Sequence, residues 1–215
     1  MQDLNLKIAE LLCTRLCHDL TGPIGAVNNG VEFLGDDSAD MLSQAVELIG
    51  NSARDAVSRL QFYRQAYGRV NTGGEANLEE LKHVCSQFFG HGKVRLEWPD
   101  IHAGGATISI SRNFGRILLN VLLLGAESLI RGGTLSVSLS ADENQKTATI
   151  RAVGKPIKME EETLKALAGT LPQSELSPRN VQPYATGLLI REIGAECSHE
   201  LGEDVFTLRI SKSLA

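Results

Sequence analysis

No stretch of this sequence holds the roughly 18 consecutive apolar residues that a membrane-crossing helix needs. The longest apolar run, Ile117 to Leu124, covers eight residues and is interrupted by Asn120. Basic blocks are also missing. Acidic residues outnumber basic ones, 26 to 21, for a net charge of −5 and a pI near 5.6. That balance argues against nucleic acid as the direct partner, because phosphate contacts need clustered Lys and Arg. The opening MQDLNLKIAE lacks a signal-peptide pattern, so the expected place is the cytoplasm. Cysteine is scarce: four residues, at 13, 17, 85 and 197, few and scattered. Cys13 and Cys17 lie one helical turn apart, flanking an apolar stripe, and the expectation is buried thiols acting as small hydrophobes. A metal reading with His18 is the weaker alternative, because His18 points elsewhere. P-loop and GxGxxG patterns are absent.

What is present is enough apolar material, 42% of residues, for a sizeable core in one large domain or two small ones. Its most organised stretch is Leu4 to Leu34, which reads as one long amphipathic helix. Ile8, Leu12, Leu16, Leu20, Ile24, Val27, Val31 and Leu34 recur at helical steps and form one stripe. His18 projects from the opposite side. Around it on that side stand Thr14, Arg15, Thr21, Gly22 and Gly25. Glycine in a helix interior costs about 1 kcal/mol relative to alanine, so this collar gives up stability, and close approach by another protein is one reason for it. Pro23 removes a backbone donor and is expected to bend the helix just after His18. Imidazole is nucleophilic when neutral and titrates near pH 6.5 in model peptides. Asp19 could accept a hydrogen bond from one ring nitrogen and direct the other outward. Sequence does not say which nitrogen reacts.

The run His18-Asp19-Leu20-Thr21-Gly22-Pro23 resembles the H-box of histidine kinases: histidine, acid, aliphatic, two variable positions, proline. The chain as a whole resembles the ChpT-type histidine phosphotransferases, relay proteins of alphaproteobacterial cell-cycle control. The resemblance implies a phosphoryl group passing from a receiver-domain aspartate to His18 and on to another aspartate. It implies His18 and Asp19 as the catalytic pair, a homodimer, and partners in the receiver domain of a hybrid histidine kinase and in response regulators. The Mg²⁺ that stabilises transferring charge is expected on the receiver, with no metal or cofactor on this chain. Thr14, Arg15, Thr21, Gly22 and Gly25 are the expected partner contacts, by position. Arg15 could pair with Asp19 or with the phosphoryl group. Gly22 stands where kinases with phosphatase activity often carry threonine or asparagine, so that activity is not expected.

Gly35 and the acidic residues after it predict a turn into a second helix, about Asp40 to Tyr67, with apolar steps at Leu42, Ala45, Ile49, Ala53, Ala56, Leu60 and Tyr63. Two antiparallel helices cannot cover two stripes alone, and a four-helix bundle from two copies can. Gly68 to Ala76 reads as a linker, dividing a hairpin domain, 1–70, from a second domain, 71–215.

The second domain is expected to be α+β. It comprises a helix from Asn77 to Phe89, a strand at 93–98, a strand or extended lead-in at 106–110, and a helix at 112–131. A hairpin of strands at 134–140 and 146–153 follows, then helices at 160–168 and 183–195 and two short strands about the 202–204 turn. This order resembles the ATP-binding Bergerat domain of histidine kinases, an α/β sandwich, in degenerate form. Asn120 sits where the metal-binding asparagine of kinases belongs. The strand ending Ile150-Arg151-Ala152-Val153-Gly154 lacks the adenine-reading aspartate, and the lid region holds prolines and only Gly169. Asn120 is therefore expected to be structural. Two alternatives stay open at this point: an ATP-dependent kinase with a divergent nucleotide site, and an adaptor that binds receivers without transfer.

Overall fold

The computed structural model describes residues 3–35, 38–68, 74–99 and 108–214. Helices α1 (Leu4–Phe33) and α2 (Ala39–Tyr67) form the N-terminal antiparallel hairpin. Asp3 caps α1 by accepting from the Asn5 N–H at 3.0 Å. The helix runs unbroken through Pro23, whose missing N–H leaves the Asp19 carbonyl without its usual partner. Gly30 lies where α2 packs tightly on α1. A Cβ there would stand 2.6 Å from Ile49 Cγ1 and 3.3 Å from the Ala45 carbonyl.

The second part begins with α3 (Leu78–Phe89), capped by Asn77, whose side chain accepts from the Glu80 N–H at 3.1 Å. Strand β1 (Val94–Glu97) follows, then α4 (Arg112–Glu127), capped by Ser111 through the Phe114 N–H at 3.2 Å. Strands β2 (Gly133–Ala141) and β3 (Gln145–Val153) make a hairpin, its turn held by Asp142, which accepts from the N–H groups of Asn144 and Gln145. Helix α5 (Glu161–Ala168) ends on left-handed Gly169, and a 3₁₀ turn (Gln173–Glu175) leads to α6 (Val181–Glu192). Strands β4 (Ala195–Leu201) and β5 (Val205–Ser213) close the fold.

The sheet order is β1-β2-β3-β5-β4, with β1 parallel to β2 and every other pair antiparallel. Leu135, Val137, Ala148, Ile150, Ala152, Phe206, Leu208 and Ile210 line its buried face, against which α4 packs. Ser138, Arg151 and Arg209 are exposed on the other face. Helix α4 is apolar nearly all round because the sheet covers one side and α2, α3 and α6 cover the rest. The α+β class and the leading hairpin match the expectation from sequence.

Several details differ. Helix α4 stops at Glu127 rather than Arg131, because the Ser128 hydroxyl turns back to the Gly125 carbonyl at 2.7 Å. Helix α6 starts at Val181, since Pro183 is tolerated within the first turn, and ends at Glu192, before left-handed Gly194. Residues 108–110 are not a strand; the Ile110 carbonyl accepts from the Ala76 N–H. Ala106 and Thr107 lie outside the described residues, as do residues 69–73 of the expected linker and the 70/71 boundary with them. Packing runs across that boundary: Phe62, Tyr63 and Ala66 of α2 belong to one core with α3, α4 and the sheet. The expectation of buried Cys13 and Cys17 is corrected. Both are exposed, whereas Cys85 is buried. Leu6, Cys13, Cys17, Ile24 and Val31 follow steps of seven and four along α1, and all five are exposed, the three aliphatic ones by more than half. Leu42 and Leu60 of the expected α2 stripe are exposed as well.

Candidate active site

Position 18 lies midway along α1, on the side away from its apolar stripe. The His18 side chain is 87% exposed, and Nδ1 lies 3.4 Å from Asp19 Oδ1. The other carboxylate oxygen, Oδ2, accepts from the Tyr63 hydroxyl of α2 at 2.8 Å. Burial first, then the hydrogen bond to Asp19, pushes the Tyr63 phenol well above its ordinary range. Tyr63 therefore acts as a neutral donor.

Thr14 and Thr21 flank His18, and their hydroxyls donate to the Glu10 and Cys17 carbonyls of their own helix. A Cβ on Gly22 or Gly25 would meet nothing within 4 Å, so nothing within the chain calls for glycine there. Thr14, Thr21, Gly22 and Gly25 thus surround His18 on one open surface.

Arg15 departs from that group. Its side chain is only 10% exposed. The guanidinium pairs with Glu127 at the end of α4 and donates to the Arg179 carbonyl at 3.3 Å; Nε lies 3.9 Å from Asp19 Oδ2. Burial alone would lower its pKa, but Glu127 and, further down, Asp19 outweigh that and raise it. Arg15, expected among the partner contacts or as a pair for Asp19, forms an internal tie here, because the second part of the fold packs against that flank of α1. Sequence reasoning counted Tyr63 only as an apolar step and missed Glu127. The one available signal was Glu127 itself, a lone charge closing an apolar helix.

Beside His18 a cleft of about 850 Å³ separates α1 from the segments around α5 and the start of α6. Thr14, His18 and Asp19 form one wall; Glu162, Thr163 and Arg179 stand on the other. The floor of this junction is apolar: Ile8 packs with Leu171, Leu176, Val181 and Tyr184. The segment that leads into α6 is thus packed on α1.

Asn120, expected from sequence to be structural, has its side chain inside the fold. It is 1% exposed. Its amide nitrogen donates to the Ala66 and Arg116 carbonyls at 3.1 and 2.9 Å, and its side-chain oxygen accepts from Gln182 at 3.0 Å. Gln182 is bonded in turn to Thr186. Both N–H groups of the Asn120 amide and one bond to its oxygen are thus used in joining α2, α4 and α6.

Residues 78–205 match the family described as "Histidine phosphotransferase C-terminal domain". The chain is 35% identical over 202 residues to the protein phosphotransferase ChpT of Brucella abortus (strain 2308), covering 93% of each chain. A solved structure of a bacterial phosphotransferase superposes with a TM-score of 0.82 at 33% identity, over 95% of this chain and 96% of that one. With an open histidine beside an acid on the hairpin, and a family match over most of the second part, the chain belongs to the histidine phosphotransferases.

Proposed function

We propose that His18 is the phosphoacceptor through which this histidine phosphotransferase relays a phosphoryl group between receiver-domain aspartates. The carrying observation is an imidazole in open solvent with Nδ1 turned to Asp19. With the proton on Nδ1, the lone pair sits on Nε2 and faces outward. That lone pair forms the P–N bond as the P–O bond of the donor's aspartyl phosphate breaks and its electrons return to the donor carboxylate. The ring becomes positive on phosphorylation, and the Asp19 carboxylate stabilises it. Delivery is the reverse step: an acceptor carboxylate attacks phosphorus, and Nε2 takes back the electron pair. The cation that offsets phosphoryl charge is assigned to the receiver, and the chain is proposed to need no nucleotide or metal of its own.

Receiver contact is assigned to Thr14, Thr21, Gly22 and Gly25, with the receiver of a hybrid histidine kinase upstream and response regulators downstream, in the cytoplasm. The working form is a homodimer. Its support is the uncovered apolar surface of the hairpin: Ile24 and Val31 on α1, Leu42, Val46, Val57 and Leu60 on α2, each at least 45% exposed. A second hairpin would complete a four-helix bundle over it.

One experiment with two arms tests the reading. The protein and its His18→Ala variant are incubated with labelled ATP alone, then with a pre-phosphorylated receiver domain. Label should reach the unmodified protein only from the receiver, and never the variant. Label arriving directly from ATP would make the chain a kinase. No label in either arm, with receiver binding intact, would make it an adaptor.

A further inference from the structure

Two tyrosines stack on α2, Tyr63 and Tyr67, with ring centroids 5.8 Å apart. Both are largely buried, yet their hydroxyls differ. That of Tyr67 is buried without a hydrogen-bond partner. That of Tyr63 reaches across to α1 and donates to Asp19 Oδ2 at 2.8 Å. The Tyr63 ring is already held by Phe62, Tyr67 and Phe88, so phenylalanine would fill the space equally well. The hydroxyl is the part that packing does not require.

Its effect falls on the geometry next to His18. A carboxylate turning freely offers either oxygen to the imidazole, or neither. With Oδ2 fixed by Tyr63, and Arg15 Nε on the same oxygen's side at 3.9 Å, Oδ1 alone is left toward His18 Nδ1 at 3.4 Å. The hydrogen bond that one imidazole nitrogen makes decides which tautomer is present. We propose that Tyr63 is a positioning residue for the phosphotransfer: it orients Asp19 so that the proton stays on His18 Nδ1 and the Nε2 lone pair faces the incoming phosphorus. This deepens the reading of His18 as phosphoacceptor and rests on it.

The test uses the full chain and phosphoramidate, a small phosphodonor that needs no receiver. In the transfer itself, Nε2 forms the new P–N bond, phosphoramidate's own P–N bond breaks, and ammonia leaves. Phosphohistidine formation is followed by ³¹P spectra for the unmodified protein, Tyr63→Phe, Tyr67→Phe, Asp19→Asn and the Tyr63→Phe/Asp19→Asn double variant. Tyr63→Phe should slow phosphorylation by about three- to tenfold, the span of one net hydrogen bond, while Tyr67→Phe leaves the rate unchanged. In the Asp19→Asn background the Tyr63 substitution should add nothing, since it acts through Asp19. Imidazole ¹⁵N shifts, with His18 identified by its loss in His18→Ala, should report the Nδ1–H tautomer in the unmodified protein and a mixture in Tyr63→Phe. Unchanged rate and tautomer in Tyr63→Phe would overturn the proposal, as would an equal loss in the Asp19→Asn background. If phosphoramidate labels His18→Ala as well as the unmodified protein, the phosphoacceptor reading fails instead, and the ¹⁵N shifts still decide the positioning.

Discussion

Glycines on one helix do different jobs here. Gly30 is required by packing, since any side chain would drive into Ile49 and the Ala45 carbonyl. Gly22 and Gly25 face open space beside His18, in a helix that alanine would strengthen. Gly22→Ala and Gly25→Ala should therefore each stabilise the isolated protein by up to about 1 kcal/mol in urea titrations. The same substitutions should slow label transfer from a phosphorylated receiver, because the added methyls stand where the receiver is proposed to dock. Gly30→Ala should instead destabilise by about 1–3 kcal/mol through overpacking. A Gly22→Ala variant that transfers at full speed would remove that residue from the docking surface.

At the scale of elements, the hairpin carries an apolar line that its own chain leaves bare. Replacing Ile24 or Leu60 by lysine places a charge on that line. Sedimentation should then show the single-chain mass, 23.2 kDa, and about twice that value for the unmodified protein if it is the proposed homodimer. The helices and their caps were legible in the sequence because their signals are local: Asn77 and Ser111 stand immediately before the helices they cap, and the α1 stripe has helical spacing. The acid beside His18 was legible for the same reason. What holds that acid was not. Tyr63 and Asp19 lie 44 positions apart, and Arg15 and Glu127 lie 112 apart, so only the folded topology joins them. Cys13 and Cys17 misled because apolar spacing says a face will be covered without saying by which chain.

Across the whole molecule, α1 is fastened to the second part by the Ile8 cluster and by the Arg15–Glu127 pair. Burial there has a measurable signature at high pH. The phenols of Tyr63 and Tyr67 and the thiol of Cys85 are all pushed upward, each chiefly by burial. A group that holds its proton more tightly when folded supports the fold in full below its unfolded pKa, about 10 for tyrosine and about 8.5 for cysteine. That support is lost as pH rises further, because only the unfolded chain then releases the proton. Urea midpoints should fall steadily above about pH 10, and two tyrosines should show phenolate absorbance only as the chain unfolds. Phenolate from all three tyrosines in the folded protein at that pH would contradict the burial of Tyr63 and Tyr67.

The sealing of Asn120 into the joint between α2, α4 and α6 has a thermodynamic consequence. On the proposal that the chain takes no nucleotide, it has no free-energy source with which to drive its own phosphorylation uphill. It would then equilibrate the phosphoryl group among whatever partners are present. The charge on its histidine should track the ratio of phosphorylated to unphosphorylated receivers. Net flow reverses when that ratio reverses, with no change in the protein itself.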